Sequence, residues 1–227
     1  MNKAIDSAAS IDNKTQTNTA ATPANPMIEL IKNRRSLNHF DPDHTMSEQE
    51  IARLVALATQ APTAFNGQNW HFIAVHSDTQ KATLQQMAFD QAKVSEASVS
   101  FIIVGRLDIH RSLAESLQPS IANGTLPQQV ADVWQGMADG MYGDNPTMQR
   151  DEAMRTGSLA AMTLMMAAES MGYGSCPMIG FDAEAIQQTF NLSAEEVPVM
   201  LVTVGREVAG NWQKKQRRPV SEVLTLV

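Results

Sequence analysis

One stretch in the middle of the chain, GSLAAMTLMMAAESMG, is apolar on almost every face of a helix. It lies in a helix predicted over about 148–171, which we expect Gly172 to end. A helix that is apolar all round is buried on every side, in a large core or in a subunit interface. The rest of the fold must therefore be built around one long buried helix.

The segments on either side of this helix predict both helices and strands. One helix is expected to begin at Pro26 and another at Ser47, where Glu50 completes a capping box. The run ASVSFIIVG predicts a strand buried on both faces, because it is continuously apolar, and VPVMLVTVG predicts a second strand. Shorter strands are predicted over 70–75 and 174–178.

The middle of the chain is predicted to be helical and broken at Pro119, Pro127 and Pro146. The whole order is αα-β-α-β-ααα-β-α-β, a mixed α/β pattern in which helices outnumber strands. The end of the chain, REVAGNWQKKQRRPVSEVLTLV, is predicted to be a polar connection followed by a final strand or arm.

Length and composition limit the organisation and the partners. Residues 26–227 are assigned to one domain, and residues 1–25, rich in Asn, Thr, Ala and Ser, to a disordered or loosely packed extension. The net charge of −7 argues against a general nucleic-acid binder. No apolar window is long enough to cross a bilayer, so no membrane partner is expected. The polar N-terminus lacks a secretory signal, and we expect a cytoplasmic protein.

Several classes of chemistry are disfavoured by missing motifs. The single cysteine, Cys176, excludes an intrachain disulfide and a cysteine metal site, and it is interpreted as a small buried residue. The histidines contain no HExxH pair, so zinc is not expected. The sequence has no GxSxG elbow, no P-loop and no GxGxxG after a strand, which disfavours hydrolases, kinases and a Rossmann fold.

Two features instead suit a ligand site. The loop before the first strand, APTAFNGQNW, carries more side-chain amides than a turn needs. Basic residues form two clusters far apart in sequence, Arg34 and Arg35 near the start and 214–218 near the end. These clusters are either solvated faces or two halves of one anion clamp.

Four segments together resemble the nitroreductase family of FMN-dependent NAD(P)H oxidoreductases. They are RRSxxxF at 34–40, APTxxNxQxW at 61–70, CPMIGFD at 176–182 and KxRxP at 215–219. Each motif is weak alone, but their order and spacing agree over residues 27–227. The resemblance implies an α+β fold with a central mixed sheet flanked by helices, and a homodimer joined by a swapped C-terminal strand with FMN at the interface.

The resemblance also implies the cofactor-binding residues. The flavin phosphate and ribityl chain would be held by Arg34, Arg35, Ser36, Asn38, Lys215 and Arg217. The partner subunit would contribute Pro62, Thr63, Ala64, Asn66 and Gln68. The ring would be contacted by Asp90, by Lys93 on its pyrimidine side, and by the turn Pro177, Met178, Ile179 and Gly180. A cation near that side would stabilise the charge that the reduced flavin carries.

Four positions depart from the family pattern. Asn38 replaces a common Lys or Arg, Asn69 a frequent proline, and Asp90 the Asn of some relatives. Ile179 replaces an acidic residue of one branch. Substrate preference is therefore not inherited.

The expected activity is ping-pong hydride transfer from NAD(P)H to the flavin and then to a small-molecule electron acceptor, such as a nitroaromatic or a quinone. Two alternatives remain open. The first is another flavin reaction on the same fold, dehalogenation or flavin destruction, under a lid at 114–142 that contains Trp134, Met137 and Tyr142. The second is a non-enzymatic flavin-binding protein.

Overall fold

A computed structural model describes residues 25–227. The predicted N-terminal extension therefore lies outside the described residues, apart from Asn25. The helices are α1 to α8 and the strands β1 to β4, numbered in chain order. Their bounds are α1 Pro26–Asn33, α2 Glu48–Ala58, β1 Trp70–Val75, α3 Asp78–Met87, α4 Lys93–Glu96, β2 Val99–Arg106, α5 Ile109–Ala122, α6 Gln128–Tyr142, α7 Pro146–Ser170, β3 Gly174–Met178, α8 Ala183–Thr189 and β4 Glu196–Gly205. Short 3-10 turns occupy Ala64–Asn66 and Val220–Glu222.

The four strands form one sheet in the order β1-β2-β4-β3, and every pair is antiparallel. The α+β class is confirmed. The mixed sheet is not found within the described chain, where the one parallel contact is an isolated bridge between Ser36 and Ser175 beside β3.

Alternate residues of β2 enter two different cores, as the continuous apolar run predicted. Phe101 and Ile103 pack with the apolar faces of α2 and α7. Ile102 and Val104 pack on the opposite face with side chains of α3, α4 and α8. The sheet is therefore a central layer between two layers of helices.

The long helix α7 lies in the first of these cores, but it is not buried on every side. Leu164 is fully buried, whereas Leu159 and Met162 are each about two-fifths exposed. The prediction of complete burial is wrong for the chain by itself. The remaining location for those side chains, a subunit interface, stays a prediction.

Proline positions differ from expectation in one case. Pro146 begins α7 and Pro127 caps α6, but Pro119 lies inside α5. The helix continues for only three residues beyond it, so the disruption falls in the last turn.

The C-terminal residues do not form the predicted final strand within the chain. Residues 211–227 contain only the short turn at Val220–Glu222, and their side chains are largely exposed. A strand needs a neighbouring strand for its backbone hydrogen bonds, and residues 211–227 pair with no strand among the described residues. The swap between subunits stays a prediction. Among the same residues, no helix combines the length and the apolar character needed to span a membrane.

Candidate active site

The two basic clusters meet at one cavity of about 230 Å³. The end of α1 forms one wall, and the segment that follows β4 forms the other. We call residues 206–217 the strap. The lining residues are Arg34, Arg35, Ser36, Asn38, Lys93, Cys176, Trp212, Gln213, Lys214, Lys215 and Arg217. The cavity thus brings together all six predicted phosphate and ribityl ligands and Lys93.

Arg35 anchors the strap to α1. Its Nη1 donates to the carbonyl oxygen of Trp212 at 2.6 Å, and its Nη2 forms an ion pair with Glu207. From the other side, Lys214 Nζ donates to the carbonyl oxygens of Ile31 and Lys32, which end α1. The Lys215 ammonium lies 4.8 Å from the centre of the Trp212 ring. Much of Arg35 is therefore committed to holding the strap.

Arg34 differs from Arg35 because part of its guanidinium is buried and unused. Its Nη1 has no hydrogen-bond partner among the described residues. A buried donor without a partner costs about 1–3 kcal/mol, and more when charged. An anionic ligand in the cavity would satisfy it, and guanidinium groups match phosphate oxygens well.

The far end of the cavity is formed by three side chains. Lys93 Nζ donates to Asn38 Oδ1 at 3.0 Å and lies 3.8 Å from the Sγ of Cys176. Lys93 is the first residue of α4 and lines the cavity. The Asn38 amide occupies the place expected for a second cation and instead orients Lys93.

The amide-rich loop lies elsewhere in the same chain. Phe65, Asn66 and Gln68 have left-handed backbone, with φ of 53°, 55° and 48°. Ser116 of α5 donates to the carbonyl oxygen of Gly67 at 3.0 Å, which holds the loop against α5. None of the five predicted residues, Pro62, Thr63, Ala64, Asn66 and Gln68, lines the cavity. Their contact with a flavin of the partner subunit stays a prediction.

Asn69, at the end of this loop, is buried and fully engaged. Its Nδ2 donates to the carbonyl oxygen of Arg106 at 2.9 Å, and its Oδ1 accepts from the Thr156 hydroxyl at 2.9 Å. This departure from the family proline has a structural use, because it ties the loop to β2 and α7.

The predicted ring contacts other than Lys93 lie outside the cavity lining, and Met178 among them is buried in the core. Ile179 is 82% exposed, and Gln91 Nε2 donates to the carbonyl oxygens of Gly180 and Ala88. The side chain of Phe89, which follows Ala88 in the sequence, is also exposed. Ile179 follows Cys176 by three residues, so at about 3.3 Å per extended residue it lies no more than about 10 Å from Cys176 along the chain. Asp90 has a φ of 55° and, like Pro177, Met178, Ile179 and Gly180, does not line the cavity.

Within the segment 114–142, Tyr142 is an internal side chain. It is 1% exposed and packs with side chains of α5 and α6. Burial, together with the Glu152 carboxylate, raises the pKa of Tyr142 to about 12. Tyr142 therefore packs inside this segment, and the role of the segment as a lid stays a prediction.

Several residues that line the cavity were not predicted from the sequence, and only some of them had a sequence feature that could have indicated them. Trp212 and Gln213 directly precede the basic residues 214–218, so their position in the sequence could have indicated that they line the cavity. Cys176 was interpreted as buried, which is confirmed, but its place beside Lys93 depends on how β3 meets α4. No group of metal ligands is found among the described residues.

The sequence from residue 31 to residue 206 matches the profile of one protein family, described as the Nitroreductase family. This span is most of the chain. The chain belongs to the nitroreductase family.

Relatives of this nitroreductase-family protein agree in sequence and in fold. The Bacillus subtilis protein named "Putative NAD(P)H nitroreductase YodC" is 35% identical over 198 residues, 87% of this chain and 97% of that protein. A "CLA biosynthesis enone reductase" of Lactiplantibacillus plantarum is 28% identical over 186 residues, 80% of this chain and 86% of that protein. A crystal structure from Exiguobacterium sibiricum, described as "a putative nitroreductase in complex with FMN", has a TM-score of 0.82 at 28% identity and covers 90% of this chain and 98% of that one.

Cys176 offers a chemical probe of the cavity of this nitroreductase-family protein. Burial raises the pKa of its thiol, and Lys93 opposes the rise only in part. The thiolate fraction is therefore smaller than in a free cysteine at the same pH, so we expect slow reaction with a disulfide reagent in the folded protein. The rate should increase as the pH rises towards the thiol pKa, and it should fall further when FMN is added. Timed thiol titration measures all three effects.

The control for this measurement is the unfolded chain, in which the same thiol should react at the rate of a free cysteine. Rapid reaction in the folded protein would contradict the burial of Cys176. A rate that FMN leaves unchanged would place the flavin outside this cavity.

Proposed function

We propose that this nitroreductase-family protein is an enzyme that uses FMN and NAD(P)H to reduce a small-molecule electron acceptor. The observation that carries the proposal is the cavity where both basic clusters meet. Six cations line it and no carboxylate is among its described lining residues, although the chain as a whole is acidic. Such a concentration of positive charge favours a phosphate group.

The residues present fit the phosphate end of FMN. Arg34 supplies the buried donor that lacks a partner, and Ser36 supplies a hydroxyl beside it. Lys215 and Arg217 face them from the strap. Guanidinium and ammonium groups on two opposite walls would hold the phosphate from both sides.

Bound FMN would supply the redox chemistry that side chains lack. Lys93 would place a fixed cation where negative charge develops, and Asn38 would hold that cation in position at 3.0 Å. No side chain of this chain is required as a nucleophile. The protein's part is to bind, orient and stabilise charge.

A homodimer would complete the site. Exposed apolar side chains lie on α1, on α7 and along the C-terminal segment, and contiguous apolar surface marks an interface. They are Met27, Ile28, Ile31, Leu159, Met162, Val220, Val223, Leu224 and Leu226. In such a dimer, the loop 62–68 of one subunit would reach the flavin of the other, and the C-terminal segment would add to the partner's sheet.

The acceptor is proposed to be a flat aromatic molecule such as a nitroaromatic or a quinone. The exposed side chains of Phe89 and Ile179 would give the ring face an apolar rim. Their exposure supports a ligand that stacks rather than one held by charges.

The first measurement is an absorbance spectrum of the purified protein, followed by anaerobic addition of NADPH or NADH. We expect flavin bands that bleach with at least one nucleotide, and oxidation of that nucleotide when a nitroaromatic or a quinone is supplied. A colourless protein that also fails to bind added FMN would exclude the proposal. Bleaching without turnover on either acceptor would instead favour a flavin-binding protein.

A further inference from the structure

The side-chain amide of Asn211 uses all of its hydrogen-bonding capacity. Its Oδ1 accepts from the backbone N–H of Asn38 at 2.6 Å and of His39 at 3.0 Å. Its Nδ2 donates to the carbonyl oxygens of His39 at 2.9 Å and of Val208 at 3.0 Å. An asparagine amide offers two lone pairs and two donors, so all four are satisfied by backbone groups.

These four bonds lie where the strap changes direction. Before this point the strap runs beside residues 38–41, with a bridge between Glu207 and Phe40 and a bond from the Asp41 N–H to the Arg206 carbonyl oxygen. Gly210 then has a φ of +98°. After Asn211, the strap lines the cavity. Asn211 therefore fixes the backbone at the point where the strap begins to run along the cavity with its basic residues.

The same amide also reaches the first wall of the cavity. It holds the backbone of Asn38, whose side chain accepts from Lys93. One residue outside the cavity thus orders both the strap and the Asn38–Lys93 pair. Among the lining residues, Arg35 and Lys214 also join the strap to α1, but neither bonds to residues 38–39.

We propose that Asn211 is a positioning residue for the phosphate end of the flavin site, which rests on the function proposed above. By joining residues 38–39 to the strap, it holds Lys215 and Arg217 opposite Arg34. Groups held in place before binding lose less conformational entropy when the ligand arrives, and this gain is lost if the strap moves freely.

The test compares FMN with riboflavin, which has the same ring and lacks the phosphate. Fluorescence titrations of the flavin-free protein give the Kd of each ligand for the wild type and for Asn211→Ala. We expect the Kd of FMN to rise about 10- to 100-fold, because Lys215 and Arg217 lie on the strap and lose their fixed position. The Kd of riboflavin should rise less than about 3-fold, because the side-chain bond between Lys93 and Asn38 does not itself involve Asn211. A purely structural role would weaken both ligands equally.

Asn123→Ala is the matched control. Asn123 also holds a loop through its amide, accepting from the Thr125 N–H at 3.0 Å, but it lies between α5 and α6. Its replacement should leave both Kd values and their ratio unchanged. If Asn211→Ala does not fold, Asn211→Ser, which keeps one donor and one acceptor, is measured in the same way and should give a smaller loss of the FMN preference.

The outcomes separate this inference from the proposed function. A wild type that binds neither flavin contradicts the proposed function itself. If the wild type binds both flavins equally, the phosphate is not clamped by the basic residues, and the proposed role of Asn211 is excluded with it. A wild type that prefers FMN, with an Asn211 variant that keeps the full preference or weakens both ligands alike, overturns the inference alone.

Discussion

Replacing Arg34 and Arg217 together with alanine is expected to release FMN and to leave the fold intact. The two side chains line opposite walls of the cavity, and neither has a carboxylate partner among the described residues. Hydrogen bonds to charged groups contribute about 1.5–3 kcal/mol each, so losing two would weaken FMN binding by about 10²- to 10⁴-fold.

The fold should not suffer, because Arg34 Nη1 is an unsatisfied buried donor without its ligand. Removing such a group from the flavin-free protein relieves a desolvation cost. The double variant should therefore purify without yellow colour and unfold at a temperature close to that of the flavin-free wild type.

The matched control removes the same charge elsewhere. Arg53 of α2 and Arg150 of α7 are exposed, and the double replacement Arg53→Ala with Arg150→Ala should retain FMN. The ratio of flavin to protein absorbance and the thermal unfolding curve report both properties. A fully yellow Arg34→Ala/Arg217→Ala protein would show that the phosphate is held by other residues.

The substitution Gly105→Ala is expected to cause a large loss of stability from a single methyl group. A Cβ at Gly105 in β2 would lie 2.5 Å from the carbonyl oxygen of Ala153 in α7. Because that oxygen belongs to the helix backbone, it cannot turn aside, and α7 must move away from the sheet. Overpacking of this kind costs about 2–3 kcal/mol. The midpoint of urea unfolding, with an unchanged slope, measures the loss.

Gly136→Ala is the control with the opposite sign. Gly136 is an exposed position inside α6, and a Cβ there would meet no atom within 4 Å. Alanine in a helix interior is favoured over glycine by about 0.5–1 kcal/mol, so this variant should be slightly more stable. Equal effects of the two substitutions would contradict the close approach of α7 to β2.

Local chemistry explains why much of the fold was predictable. Ser47 caps α2 and exchanges bonds with Glu50 within one turn, so its signal needs no tertiary context. The continuous apolar run of β2 predicted burial on both faces, and this is confirmed because its residues alternate between the two cores. Two features were not settled by local signals: Pro119 lies in the last turn of α5 and does not end it, and residues 211–227 form no strand among the described residues, so the swapped strand stays a prediction.

The same distinction between local and distant contacts applies to the candidate site. The sequence by itself determined which residue types could bind an anion and, through four short motifs, the family. Only the tertiary structure decided that Arg34 leaves a donor unused while Arg35 anchors the strap, and that Asn211 joins both walls. These differences depend on hydrogen bonds between residues more than 170 positions apart, and no local pattern of residues records which distant backbone groups will face a side chain.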